Sequence, residues 1–214
     1  VTDSIECPLC NASKYKHHHR DERRDYYLCA ECHLVFVPVR QRLSIDEEKA
    51  VYDLHENHPD DSGYRKFLLR IFTAVCERVK PPAFGMDFGA GPGPTLSLMF
   101  AEAGYGMAIY DPVYASDESV LTAEYNFITA TEVFEHLFFP GKEIEKLISI
   151  LKPGGWLAVM TGRIPSECQF SDWHYIRDPT HVCFYTEKTF HWIASRYNLR
   201  LNYSDNNVYL LQKK

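Results

Sequence analysis

The sequence predicts an α/β fold, an open doubly wound sheet closed by an antiparallel hairpin and preceded by a small cysteine-bearing module. Three observations predict it. Short apolar segments alternate with helical periods from residue 64 onward. A glycine-rich turn, Asp87-Phe88-Gly89-Ala90-Gly91-Pro92-Gly93, separates the first of those segments from the helix that follows. Two C-x2-C pairs stand within the first 40 residues.

The elements follow in order. Residues 1 to about 40 are polar and rich in Cys, His and Arg. Gln41 to Gly63 is acidic and reads as a linker with one short helix near Ile45 to Leu54. Phe67, Leu68, Ile71, Phe72 and Val75 mark a helix over Tyr64 to Val79, stopped by Pro81-Pro82. Phe84 to Phe88 is a short strand, and Thr95 to Ala103 a helix broken at Gly104. Tyr105 to Tyr110 is a second strand, ending at Asp111. Tyr125 to Ala130 is another strand and Lys142 to Leu151 an amphipathic helix. Lys152-Pro153-Gly154-Gly155 is a tight turn before the strand Trp156 to Thr161. An irregular segment, Gly162 to Tyr185, precedes a helix over Glu187 to Tyr197. Leu199 to Tyr203 and Val208 to Gln212 flank a hairpin turn at Asp205-Asn206-Asn207.

With 214 residues, 45% hydrophobic and 24% charged, the composition is that of a globular domain plus a small appendage. The formal net charge of −6 weighs against a nucleic-acid partner. It does so despite the local run Lys14, Lys16, His17, His18, His19, Arg20, Arg23 and Arg24. No apolar run approaches the ~18 residues of a membrane span. Val1-Thr2-Asp3-Ser4 does not open a secretory signal. Of seven cysteines, four are paired and Cys76, Cys168 and Cys183 are scattered. That pattern suits metal-bound thiolates in a reducing, cytoplasmic compartment better than a disulfide framework.

Cys7-Pro8-Leu9-Cys10 and Cys29-Ala30-Glu31-Cys32 are separated by 18 residues, which is zinc-ribbon spacing. Four thiolates suit a closed, tetrahedral structural site. So short a segment lacks a core of its own, and metal binding becomes its folding energy. His17, His18, His19 and His33 are further possible ligands, with solvation the simpler reading.

In the glycine turn the spacing is G-x-G-x-G. It lacks the third glycine of the dinucleotide fingerprint, because Leu96 stands there, and it lacks the Lys-Ser/Thr of a phosphate loop. Glycines at this place let the chain bend sharply and let a ligand approach the peptide groups. Ligands of doubly wound sheets bind beyond the carboxyl ends of the strands. One strand later, Asp111 is placed to take both hydroxyls of a ribose.

Taken with Ala130-Thr131-Glu132-Val133-Phe134-Glu135-His136, Leu151-Lys152-Pro153-Gly154-Gly155-Trp156 and the final hairpin, these residues resemble the class I S-adenosylmethionine-dependent methyltransferases. The resemblance implies a Rossmann-like domain over 64–214, joined by the linker 41–63 to a zinc ribbon at 1–40. It implies that Gly89, Gly91 and Gly93, with Ala90 between them, hold the methionine part of the cofactor, and that Asp111 binds its ribose. Asp87 would orient the loop or reach the cofactor's amino group, and Thr131 and Glu132 would line the site. Pro112 to Glu124 is too short for the family's usual helix and third strand, so a vestigial strand is expected at Val120-Leu121-Thr122.

Glu132, Glu135 and His136 lie at the carboxyl edge of the sheet, and Trp173-His174-Tyr175 and Asp178-Pro179-Thr180-His181 lie in the insertion after the next strand. Three roles stay open. His136 can hold cofactor or loop. His136 or His181 can be a general base, with Glu132 beside it. Or Glu132, Glu135, His136 and His181 can bind a second, divalent metal, an arrangement similar to that of metal-dependent small-RNA 2′-O-methyltransferases. Trp173, Tyr175, Phe184 and Tyr185 form either a substrate pocket or core. Tyr52, His55 and Asn57 precede the helix over Tyr64 to Val79, and the resemblance implies a segment there that can close over the cofactor.

The expected reaction is methyl transfer to an O, N or C atom of a small molecule, with the protein aligning acceptor and methyl group. A nucleotide-linked sugar or natural-product intermediate is one such acceptor. The rivals are an RNA-modifying enzyme gripping RNA through the ribbon, and a non-catalytic binding protein. The ribbon could also recruit a protein partner or roof the cleft.

Overall fold

The computed structural model describes residues 5–54, 58–164, 170–205 and 207–214. His55, Asn57 and Cys168 lie outside them. Two sheets organise the molecule. The larger has six strands: β4 (Phe84–Phe88), β5 (Gly106–Tyr110), β6 (Tyr125–Thr131), β7 (Leu151–Met160), β9 (Leu199–Asp205) and β10 (Val208–Lys213), in the order β5-β4-β6-β7-β10-β9. The first four are parallel, and β10 inserts antiparallel between β7 and β9. This is the expected open α/β sheet with its closing hairpin.

Alternation along the strands builds a core on each face. Phe127, Ala158, Met160 and Leu210 point to one side. There they meet α2 (Ser62–Cys76) and α3 (Thr95–Glu102) through Leu68, Ile71 and Phe100. Ile128, Leu157, Val159, Tyr209 and Leu211 point to the other, against α4 (Pro140–Ser149) and α5 (Glu187–Arg196). Caps fix the helix starts: Asp61 accepts from the Gly63 and Tyr64 amides, and Thr186 forms a capping box with Thr189.

Two local expectations are corrected. Val120-Leu121-Thr122 is not a strand but part of a 3-10 turn, Glu118–Thr122, whose start is set by Asp117 accepting from the Ser119 amide. Too few residues separate Asp111 from β6 to reach the sheet edge and return. The turn at 152–155 lies inside β7 as a bulge, because Tyr125 pairs with Leu151 and Phe127 with Trp156. Gly154 supplies the left-handed conformation there (φ 77°).

The smaller sheet contains β1 (Tyr15–Arg20), β2 (Asp25–Cys29), β3 (Val35–Phe36) and β8 (Cys183–Phe184), in the order β1-β2-β3-β8. Its first three strands are N-terminal, and β8 comes from the segment expected to be irregular. Val35 pairs with Phe184 and Phe36 with Cys183. Cys7, Cys29, Cys32, Leu34 and Phe36 share one apolar cluster with Phe134, Ile144 and Leu147. The contact is close: a Cβ on Gly141 would fall 2.3 Å from the Leu9 carbonyl oxygen. The helix α1 (Ile45–Tyr52) starts with a Ser44/Glu47 capping box and buries no residue fully. Instead its C-terminal end is held by the Tyr114 hydroxyl donating to Asp53 at 2.6 Å and by Tyr52 packing edge-on against His136.

Candidate functional site

The glycine loop runs off the end of β4 and across the end of β5. The amides of Gly89 and Ala90 donate to the Tyr110 carbonyl (2.7 and 3.3 Å). Gly89 (φ 74°) and Gly91 (φ 62°) take left-handed conformations that glycine alone adopts without strain. Around Gly89 there is no room, since a Cβ would fall 2.4 Å from Val133. At Gly91 a Cβ would meet nothing within 4 Å. Gly93 turns the chain into α3, its carbonyl accepting from the Thr95 amide at 2.7 Å.

Asp111 is buried at the end of β5. Its Oδ2 accepts from the Gly91 amide (2.9 Å) and its Oδ1 from those of Val113 and Tyr114 (2.9 and 3.0 Å). This fixes the carboxylate relative to the glycine loop. Asp87 is buried beneath the loop, accepting from Thr129 (2.7 Å) and Ser97 (3.3 Å). Burial pushes its carboxyl up to about 6, against the pull of those two hydroxyls. Thr131 closes β6, and its buried hydroxyl meets no hydrogen-bond partner among the described residues.

Glu132 follows with φ 52°, a conformation sparsely populated outside glycine and often found where function holds it. Its carboxylate reaches the Tyr175 hydroxyl at 3.1 Å. Glu135, with no exposed surface, bonds the same hydroxyl through Oε1 and accepts from Thr161 at 2.8 Å through Oε2. The Gly162 amide also donates to that phenol oxygen (3.0 Å). One phenolic hydrogen thus stands between two carboxylates. Burial, and then the charge of Glu132, raise the Glu135 carboxyl well above its ordinary range. Burial likewise raises Glu132. The pair therefore holds a shared proton or faces a cation.

His136 and His181 stand beside Glu135. Their rings meet edge-on with centroids 4.7 Å apart, and one ligand atom from each of Glu135, His136 and His181 lies within 4.8 Å of the others. His136 Nδ1 donates to the Thr180 carbonyl (3.3 Å) and His181 Nδ1 to that of Tyr175 (2.8 Å). A neutral imidazole held this way keeps its lone pair on Nε2, the arrangement typical of metal-binding histidines. Burial lowers His181 from its ordinary value and favours that neutral form. Glu132 is not part of this set. Of the four residues named from the sequence for a second metal, three group here, while Glu132 and Glu135 both turn to the Tyr175 hydroxyl.

The four paired cysteines converge. Cys7 Sγ lies 3.4 Å from Cys32 Sγ, and Cys10 Sγ 3.5 Å from Cys29 Sγ, all without disulfides. All four Sγ atoms fall within 4.8 Å of one another. Ligands ~2.3 Å from a tetrahedral zinc would lie roughly 3.8 Å apart, so the set fits that ion. Around the ribbon, His17 contacts Asp25 (3.2 Å), and His18 and His19 lie against Phe170.

Several expectations left open acquire definite places. Trp173, Tyr175, Phe184 and Tyr185 are buried, and Tyr175 presents its hydroxyl to the two glutamates. Two features escaped the sequence reading: Tyr175 as the meeting point of the carboxylates, and Arg24, a buried cation hidden in a run of surface charges. The sole signal for Arg24 was its position immediately before an apolar strand.

Residues 57–203 match the family described as "Methyltransferase domain". No curated protein matches. Among solved structures, the chain is similar to the Burkholderia thailandensis 1,6-didemethyltoxoflavin-N1-methyltransferase with bound 1,6-didemethyltoxoflavin and S-adenosylhomocysteine. That match has TM-score 0.53 and 14% identity, over 92% of this chain and 97% of that one. It is also similar to the magnesium protoporphyrin IX methyltransferase of Synechocystis PCC 6803 with bound SAH (TM-score 0.53, 12% identity, 79% and 94% covered). A third similarity is to Streptomyces venezuelae DesVI (TM-score 0.54, 10% identity, 81% and 100% covered). The structural likenesses establish the shared fold, and with more than half of its length matched the chain belongs to the methyltransferase domain family.

Proposed function

We propose that this chain transfers the methyl group of S-adenosylmethionine to a small-molecule acceptor. The observation that carries the reading is the Gly91 amide bonded to Asp111 at 2.9 Å beside the open space at the Gly91 α-carbon. Gly89, Ala90, Gly91 and Gly93 would cradle the methionine part of the cofactor and Asp111 its ribose. Asp87, Thr131 and Glu132 would line the site, Thr131 through its unpartnered hydroxyl. When bound, the cofactor supplies a methyl group activated by a positive sulfur. Glu132 at the end of β6 suits such a cation, and the protein's task is to align the acceptor and exclude water. In this reading residues 1–40 are a zinc ribbon held by Cys7, Cys10, Cys29 and Cys32, residues 41–63 a linker, and residues 64–214 the catalytic domain.

On the acceptor side, Glu135, His136 and His181 would hold a divalent cation. Two Nε2 lone pairs and a buried carboxylate make a donor set suited to such an ion, and a cation would balance the charge gathered at Tyr175. With zinc kept in the cysteine site, Mn²⁺ followed by electron paramagnetic resonance should bind wild type and fail to bind His181→Ala or Glu135→Gln. No Mn²⁺ binding, with methyl transfer unaffected by chelator, would leave His136 or His181 as a general base instead.

The test of the activity uses methyl-labelled S-adenosylmethionine with mixed small-molecule extracts, and with RNA in parallel. Label in small molecules is the expected result. Label confined to RNA would replace the acceptor class, and no transfer to either would favour a binding role.

A further inference from the structure

Arg24 lies immediately before β2 with 4% of its surface exposed. Its guanidinium makes no carboxylate ion pair among the described residues. Instead Nη1 donates to the carbonyls of Pro179 (2.8 Å) and His181 (2.9 Å), and Nη2 to those of Ile176 (3.0 Å) and Asp178 (3.1 Å). Nε and Nη2 also reach the Tyr26 hydroxyl, which donates to Asp21 at 2.6 Å. All five N–H groups of the planar fork are thereby used, four of them on backbone carbonyls of one six-residue stretch. A lysine, with three donors on a flexible stem, cannot reproduce this.

That stretch lies between the ribbon and the site. On its outer side, Arg23 donates to the Arg177 carbonyl (2.9 Å), and the Val37 amide to that of Val182 (2.9 Å). On its inner side, the Thr180 carbonyl fixes the His136 ring, the Tyr175 carbonyl fixes that of His181, and the Val182 amide donates to the Glu135 carbonyl (2.8 Å). The carbonyls that Arg24 gathers thus belong to the same loop that orients both histidines.

We propose that the ribbon is an internal scaffold for the acceptor-side wall, with Arg24 as the positioning residue that sets segment 175–181 and through it the rings of His136 and His181. The catalytic consequence rests on the methyl-transfer reading above; the positioning itself does not. A buried guanidinium spread over four carbonyls pins a loop that has little regular structure of its own. The ribbon then works on its own chain before any outside partner is required.

The experiment compares full-length, zinc-loaded wild type with Arg24→Met and Arg24→Lys. Backbone amide exchange is read along the chain, together with the ring resonances of His136 and His181. His181 packs on Tyr175 with centroids 4.1 Å apart, so its resonances carry a ring-current shift that reports its pose. In Arg24→Met, amides of 175–182 should exchange at least tenfold faster and the His181 resonances should move toward unshifted positions. Amides of β4 to β7 should stay within twofold of wild type. Arg24→Lys should fall between the two. If Arg24→Met does not fold, Tyr26→Phe removes one acceptor and the link to Asp21, and should give a smaller change in the same segment. Unchanged histidine resonances, or equal acceleration across the six-stranded sheet, would overturn the proposal. S-adenosylhomocysteine affinity, measured alongside, separates a failure of the cofactor reading from a failure of this one.

Discussion

Asp111 makes three bonds to backbone amides, one of them in the glycine loop. Replacing it with Ala should weaken S-adenosylhomocysteine binding at least tenfold, because the loop loses its anchor and, in the proposed site, the ribose its acceptor; calorimetric titration reads this. Asp87 gives a pH dependence. Its folded value, about 6, is above the ~3.9 of an unfolded aspartate, so ionisation opposes folding increasingly as pH rises between the two. Cofactor binding has the opposite sign if the ionised carboxylate faces the ligand's amino group. Affinity should rise from pH 5 to pH 7, and Asp87→Asn should flatten the profile. The glycine turn and Asp111 were legible in the sequence because chemistry and local spacing coincide there. Glu135, His136 and His181 were named from the sequence as well, together with Glu132; which of the four group together, and that Tyr175 joins the two carboxylates, depends on three-dimensional placement that spacing does not reveal.

At the scale of elements, strands and helices read off correctly where one face is apolar over several residues, as in β4, β6, α2 and α5. Apart from β7, which begins at Leu151 instead of Trp156, boundaries moved by at most three residues. The pairing of β3 with β8 was invisible: two-residue strands carry no period, and their partners are far apart in sequence. Two substitutions test the packing. Thr186→Ala removes the α5 cap and a bond to the His33 carbonyl, and should lower stability by about 1 kcal/mol. Phe190→Ala empties the place of a ring stacked on Tyr209 with centroids 3.5 Å apart, and should lower it by about 3–5 kcal/mol. Denaturant midpoints with unchanged slopes would check both.

At the scale of the whole molecule, the ribbon and the methyltransferase fold share a core and a sheet. Zinc removal by chelator should therefore lower the melting temperature of the entire chain in one transition, rather than melt a separate module. Among the described residues no helix is long and apolar enough to cross a membrane. The sequence marked the ribbon by its cysteines and the larger fold by its strand order. How the two join was hidden, because Arg24 looks like its solvated neighbours and buries its charge through contacts with a distant loop. Gly89 to Gly93 and Asp111 form the proposed cofactor site. Its most direct test is calorimetric titration of zinc-loaded protein, free of bound product, with S-adenosylhomocysteine. Micromolar binding that Asp111→Ala weakens at least tenfold is the predicted result. No binding by the wild-type chain would contradict it.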